Sequence, residues 1–174
     1  LLNGQIVERL VYHDPISGKP IPAYSKITFY LHQERRVLHN NGFIDPWSIE
    51  EYIGRGGYQA LAKALMQMSP EDVIEEVKKA GLRGRGGAGF PTATRWGFVR
   101  SATSEEKCVV CNGDEGDPGA YMNRSVLEGN PHSIVEGMAI GAYAIGNVHQ
   151  GYAYVRAEYP LAIETLSHAI AQAR

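Results

Sequence analysis

Along the first third of the chain, Val, Ile, Tyr and Phe crowd residues 4–12 and 24–39. The turn formers Asp14, Pro15, Gly18, Pro20 and Pro22 lie between these stretches. That pattern predicts an extended N-terminal segment, closed by Asn40-Asn41-Gly42. Beyond it the period lengthens. Residues 47–53 predict a short helix and residues 58–67 a second one behind Gly56-Gly57. The clearest helix follows Ser69, a good N-cap, with Pro70 in the first turn and Asp72 three residues after the cap. Val73, Ile74, Val77 and Ala80 form its apolar stripe. Acids precede Lys78 and Lys79 as the helix dipole favours, and Gly81 is the expected stop.

The second half alternates. Residues 92–100 predict a helix started by Pro91, and 107–111 a compact strand. A helix is expected over 131–145, where Gly137, Ala139, Gly141 and Ala144 permit close packing. A strand over 152–155 follows, then a helix over 159–174 with Ala162, Leu166, Ala169, Ile170 and Ala173 on one face. Strands alternating with helices predict an α/β domain with a parallel sheet.

Composition narrows the function classes. With 17 Lys and Arg against 19 Asp and Glu in 174 residues, the chain lacks the basic excess of a nucleic-acid binder. Its composition is that of a soluble globular protein. The longest apolar run, 134–148, is interrupted by Glu136 and falls short of the ~20 residues a membrane helix needs, so no direct membrane insertion is expected. No charged-then-apolar segment opens the chain, so no leader is expected. Two cysteines are too few for a disulfide scaffold.

Glycine changes the picture. Five of the 20 fall in Gly81-Leu82-Arg83-Gly84-Arg85-Gly86-Gly87-Ala88-Gly89, and three more punctuate Asn112-Gly113-Asp114-Glu115-Gly116-Asp117-Pro118-Gly119. Residues 84–89 fit the letter of G-x-G-x-x-G, but a helix rather than a strand precedes them, so the usual dinucleotide fingerprint is not met. The physics survives: glycine amides beside Arg83, Arg85 and Arg95, next to a helix start, suit a phosphate. These arginines could equally be ordinary surface charge. The acidic loop follows a strand, where α/β proteins place ligands, and its carboxylates suit ribose hydroxyls and heterocycle N–H groups. A calcium loop fails on spacing, because Asn123 stands where the closing Glu belongs. Cys108 and Cys111 form a lone C-x-x-C without the further ligands that zinc or a cluster requires. Three apart in a strand they face opposite sides, so buried core thiols are expected. The six histidines show no metal spacing, and no metal ligand is expected.

Three motifs in order, the glycine loop through Phe90-Pro91-Thr92, the loop 111–119, and Tyr154-Val155-Arg156-Ala157-Glu158-Tyr159, resemble the NADH-binding flavoprotein subunit of NADH:quinone oxidoreductase (complex I). Related diaphorase subunits serve NAD(P)-linked and electron-bifurcating hydrogenases. The likeness runs from about Ile44 to the C-terminus, and residues 44–58 look more like the hydrogenase branch. The resemblance implies a Rossmann-like FMN- and NAD-binding α/β domain over 44–174, preceded by residues 1–43. It implies hydride transfer from NADH, or NADPH, to FMN and single-electron transfer to iron–sulfur clusters.

Residue by residue, the resemblance puts Gly84, Arg85, Gly86 and Gly87 against FMN and the incoming nucleotide. It puts Asn112, Asp114 and Glu115 at the flavin's polar side, and Phe90 and Phe98 around the adenine, where stacking is a sensible role. Tyr154 and Glu158 approach FMN and dinucleotide, with Glu158 favouring NADH by repelling a 2′-phosphate. Asp117 replaces a frequent Glu near the nicotinamide, Arg95 replaces a Lys, and Ala93 a Gly; Arg95 keeps the charge with different hydrogen-bond geometry. The cofactors do the chemistry, so no catalytic residue is expected.

In the family, a further flavin-binding motif, a ubiquitin-like domain and a four-cysteine [4Fe–4S] domain come after the last helix seen here. The chain is therefore expected to be a fragment of a cytoplasmic subunit partnered by iron–sulfur subunits. Two rival readings are a cofactor-free module that supports assembly and an unrelated α/β transferase that uses the glycine loop for phosphate.

Overall fold

In a computed structural model, residues 8–174 are described. The chain divides into two units, up to Arg36 and from Val37 to Arg174. Part of the stretch expected to be extended, residues 4–7, lies outside the described residues. The rest of the first unit corrects that expectation. A 3₁₀ turn Glu8–Leu10 leads into a minimal antiparallel pair, β1 (Tyr12–His13) with β2 (Pro20–Ile21). Asp14 closes the turn between them, its carboxylate accepting from Ile16 and Ser17 N–H. Residues 24–39 form no strand: a 3₁₀ turn Tyr24–Lys26 runs into α1 (Thr28–Leu31). Aromatic residues favour strands only where a neighbouring strand and a face to bury against exist. Here Tyr24 stacks on Tyr30 at 4.2 Å and Arg35 lies over the Tyr24 ring, so local contacts win.

In the second unit every helix but the one over Met122–Gly129 follows its sequence signals closely. α2 (Ile49–Gly54) starts at Ser48, whose hydroxyl accepts from Glu51 N–H. α3 (Gln59–Gln67) is followed by α4 (Pro70–Lys79), which has the complete Ser69–Asp72 capping box. Gly81 takes φ +65° just past its end. α5 (Thr92–Ser101), β3 (Lys107–Gly113), α6 (Met122–Gly129), α7 (Pro131–Ile145), β4 (Val148–Val155) and α8 (Pro160–Gln172) complete the unit.

β3 and β4 pair in parallel, with Val110 opposite Tyr152 and Asn112 opposite Tyr154, joined by the α6–α7 crossover. The architecture is therefore mixed α/β with a small parallel sheet of two strands among the described residues. No helix among these residues is long and apolar enough to cross a membrane.

α7 is the hub, packed against α3, α4, α5, α6, α8 and both strands. A Cβ on Gly141 would lie 3.2 Å from the Trp96 ring, which explains a glycine where α5 crosses α7. One core group joins Ala64, Val73 and Ala144; another joins Leu127, Ala162 and Leu166.

Glu136, the sole charge in the apolar run, is buried on α7. Its carboxylate accepts from Tyr52 Oη at 2.5 Å, Tyr58 N–H at 3.0 Å and Leu61 N–H at 3.1 Å. It thus caps α3 from another element and holds Tyr58, a non-glycine residue at φ +61°. The Trp47 carbonyl can only accept, so the Gln172 amide N–H₂ faces it and Gln172 Oε1 accepts from His132 Nε2–H at 3.0 Å. His132 Nδ1 is then free to accept from Tyr58 Oη at 2.8 Å. Burial, the largest influence on this imidazole, keeps its pKa below the ordinary value and favours the neutral ring.

Candidate functional site

Two loops meet at the carboxyl end of β3. The glycine loop is pinched at its base: Thr92 N–H donates to Leu82 O, Gly84 N–H donates to Phe90 O at 2.9 Å, and Arg83 bridges Pro91. Arg83 Nη1 also donates to Gly89 O at 3.0 Å. Within that frame Gly87 and Gly89 take φ +97° and +60°, where only glycine sits without strain. Cβ atoms added at Gly86, Gly87 or Gly89 would meet nothing within 4 Å. The loop presents bare backbone outward and delivers Phe90 to the start of α5.

The acidic loop is organised by its own side chains. Asn112 Oδ1 accepts from Asp114 N–H at 3.0 Å. The half-buried Glu115 carboxylate accepts from Asn123 and Arg124 N–H at 3.0 and 3.1 Å, capping α6 in place of a local N-cap. Asn123 Nδ2 donates to the Asp114 carbonyl. Gly113 is buried at the strand end, where a Cβ would come within 2.8 Å of Tyr154 O; only glycine lets the strands close there.

Arg85 from the first loop and Asn112 and Gly113 from the second line one cavity of about 340 Å³, with Met122, Asn123 and Leu127 among its walls. That volume is at the lower end of ligand pockets. It combines a guanidinium, two side-chain amides and apolar walls. Tyr154 is exposed beside Asn112 on the same sheet face, as the parallel register requires. Arg95 instead lines a neighbouring groove of about 500 Å³ between α5, β3 and α7, and its guanidinium lies 5.5 Å from the Phe90 ring centre. Phe98 is exposed further along α5, and Asp117 is exposed, its carbonyl accepting from Ala120 N–H.

Glu158 is bound to Arg156, whose Nη2 donates to it at 3.0 Å. This hydrogen bond, first among the causes, holds the Glu158 carboxyl below its ordinary range. Sequence reasoning alone passes over Arg156. A signal for it exists: Asp114, Glu115, Asp117 and Glu158 fall within two motifs, and so much acid at one place calls for a counter-cation.

The expectation of two buried thiols needs correction. Cys108 is exposed and Cys111 half-buried, because the Cys108–Val110–Asn112 face of β3 carries no layer among the described residues. Burial pushes the Cys111 thiol pKa up. In the folded protein Cys108 is therefore expected to react with iodoacetamide at least tenfold faster than Cys111. Peptide mass spectrometry after brief labelling reads this directly, and equal rates would contradict the exposure pattern.

An open loop of bare glycine amides stands against a strand-end loop of acids and amides, on a parallel α/β frame, at the sheet end where α/β proteins bind ligands. Comparison with known proteins supplies the family. Residues 77–174 match the Nuo51 FMN-binding domain, and the chain belongs to that family. It is 56% identical over 142 residues to the NADP-reducing hydrogenase subunit HndC of Solidesulfovibrio fructosivorans, covering 82% of this chain and 28% of the relative. It is 41% identical over 129 residues to an NADH-quinone oxidoreductase subunit of Escherichia coli, covering 74% and 29%. Among solved structures it resembles a chain of an NAD⁺-reducing [NiFe]-hydrogenase in the air-oxidized state. There the TM-score is 0.57 and the identity 40%, over 60% of this chain and 18% of that one. The chain thus spans somewhat under a third of the length of these curated relatives.

Proposed function

We propose that the chain is the FMN- and NADH-binding part of a diaphorase-type subunit, with a Rossmann-like domain as its frame. The observation that carries this reading is the cavity shared by Arg85, Asn112 and Gly113. Its donor set fits a flavin mononucleotide. Arg85 and the open amides of Gly86 and Gly87 suit the phosphate, Asn112 and Asn123 suit the polar edge of the ring, and Met122 and Leu127 suit its apolar face. FMN, when bound, supplies the step from two-electron hydride chemistry to single electrons.

The chain's own residues bind and orient. Arg85 neutralises phosphate charge. Asn112 holds the acidic loop through Asp114 N–H, and Glu115 fixes that loop to α6. Tyr154, Phe90 and Phe98 offer exposed rings for stacking, and Arg95 offers charge beside Phe90. Asp117 and Glu158, both exposed near the ends of the two strands, would serve the dinucleotide's hydroxyls and amide. The iron–sulfur clusters that would take the electrons belong, on this reading, to other parts of the assembly: one [4Fe–4S] centre to the remainder of the subunit and others to partner subunits of a complex I or hydrogenase type on the cytoplasmic side. Relatives named for NADP and for NADH occur side by side, so the dinucleotide is set by local residues rather than by the family.

The product of the complete gene should purify yellow, release FMN on denaturation in near-equal amount to protein, and reduce ferricyanide with NADH. A protein that binds ATP and no flavin would instead be the phosphate-binding transferase. One that folds with its partners and binds neither would be the assembly module.

A further inference from the structure

We propose that Arg156 is a positioning and selectivity residue of this site: by holding Asp114 and Glu158 together it limits the negative charge that an incoming dinucleotide meets, and so lets a 2′-phosphate be tolerated. This rests on reading the cleft as a dinucleotide site.

The geometry is specific to one side chain. Arg156 follows β4 directly, and its guanidinium reaches across to the loop that follows β3. Nη1 donates to the Glu115 carbonyl, Nη2 donates to Glu158 Oε1 at 3.0 Å, and Nε stands 3.9 Å from Asp114 Oδ1. The Tyr159 ring lies beneath, 5.7 Å from its centre to the guanidinium carbon. The fork therefore joins the carboxyl ends of two adjacent parallel strands, where open α/β sheets bind ligands. Two carboxylates share one cation there. A planar, permanently charged fork does this; a lysine would supply the charge without the bidentate reach.

Without Arg156, both carboxylates would stand uncompensated at the cleft. NADH, bearing only its pyrophosphate, would feel this modestly. NADPH carries an added phosphate and would feel it far more. The two dinucleotides therefore separate an electrostatic role from a merely structural one, because a loosened loop weakens both alike.

The test is Arg156→Gln and Arg156→Lys in the protein from the complete gene, with flavin content and kcat/KM for NADH and NADPH measured at low and high ionic strength. In Arg156→Gln the NADPH/NADH ratio of kcat/KM should fall at least tenfold with FMN retained. Most of that fall should disappear at high salt, since these groups are exposed and screened. Arg156→Lys should keep the ratio within about threefold of the wild type while raising both KM values. Equal losses with both dinucleotides, or an unchanged ratio, overturn the proposal and leave Arg156 a structural brace. So does a wild type that oxidises NADH but rejects NADPH beyond measurement. A wild type that binds FMN but neither dinucleotide, or no flavin at all, takes down the reading of the site itself and the proposal with it.

Discussion

Replacing Glu136 with leucine should lower the stability of the folded protein by about 3–5 kcal/mol. The change leaves the Tyr52 hydroxyl and the Tyr58 and Leu61 N–H groups without their acceptor. An orphaned buried donor costs about 1–3 kcal/mol, and relaxation recovers part of the sum. The loss should not remain local, because Tyr58 links on to His132 and Gln172 on α7 and α8. Burial above all, then Glu136, keeps the Tyr52 phenol pKa above its ordinary value, so this hydroxyl remains a donor at working pH. Glu136→Gln keeps the shape and one acceptor oxygen and should cost about 1–2 kcal/mol. Urea unfolding of the two variants beside the wild type measures both. A leucine variant within about 1 kcal/mol of wild type would show that the three donors find other partners, and the network would lose its structural importance.

The same residue shows what the sequence conveys and what it withholds. An acid alone in the run 134–148 is visible as an interruption, and the helix found there, α7, is 15 residues long. Nothing local says that Glu136 caps α3, about 75 residues earlier in the chain. Local signals do well wherever the cause is local. The Ser69 box, the Pro131 start and the Gly81 stop each act within one turn, and α4 and α7 appear where they are expected. α6 escapes because its cap comes from Glu115, with Tyr121 at the N-cap position making no side-chain bond. Arg124 and Glu128, an i,i+4 pair at 2.8 Å, with Gly129 as a stop, could have revealed it. Residues 24–39 fail for the opposite reason: a strand-like composition has no strand beside it. The motifs single out two loops, and the fold brings Arg85 of one and Asn112 of the other to a single cavity. The register of β3 on β4 is needed to put Asn112 next to Tyr154, and coordinates are needed to find Arg156 between Asp114 and Glu158.

Gly86→Val should reduce FMN content to below about one-tenth of wild type while leaving the fold intact. The two halves of that statement come from different features. A Cβ at Gly86 meets no atom of the protein within 4 Å, and its φ lies outside the left-handed region. A side chain can therefore start there into open space without a left-handed backbone, and the base of the loop is held by Gly84 N–H to Phe90 O and Arg83 to Gly89 O. On the proposed reading, the space the valine would fill is the space a cofactor phosphate needs to reach the backbone amides, so the loss is expected to fall on the ligand. Gly87 is the poorer probe: at φ +97° any side chain strains the loop whether or not a ligand binds. Flavin released from the purified full-length variant gives the first reading, and its thermal midpoint in the absence of flavin gives the second. Comparing that midpoint with the wild type's, likewise stripped of flavin, isolates the fold. Low flavin with matching midpoints is the expected result. Full flavin occupancy in the valine variant would mean that the bare loop is not where the cofactor lies, and the cavity beside Arg85 would need another occupant.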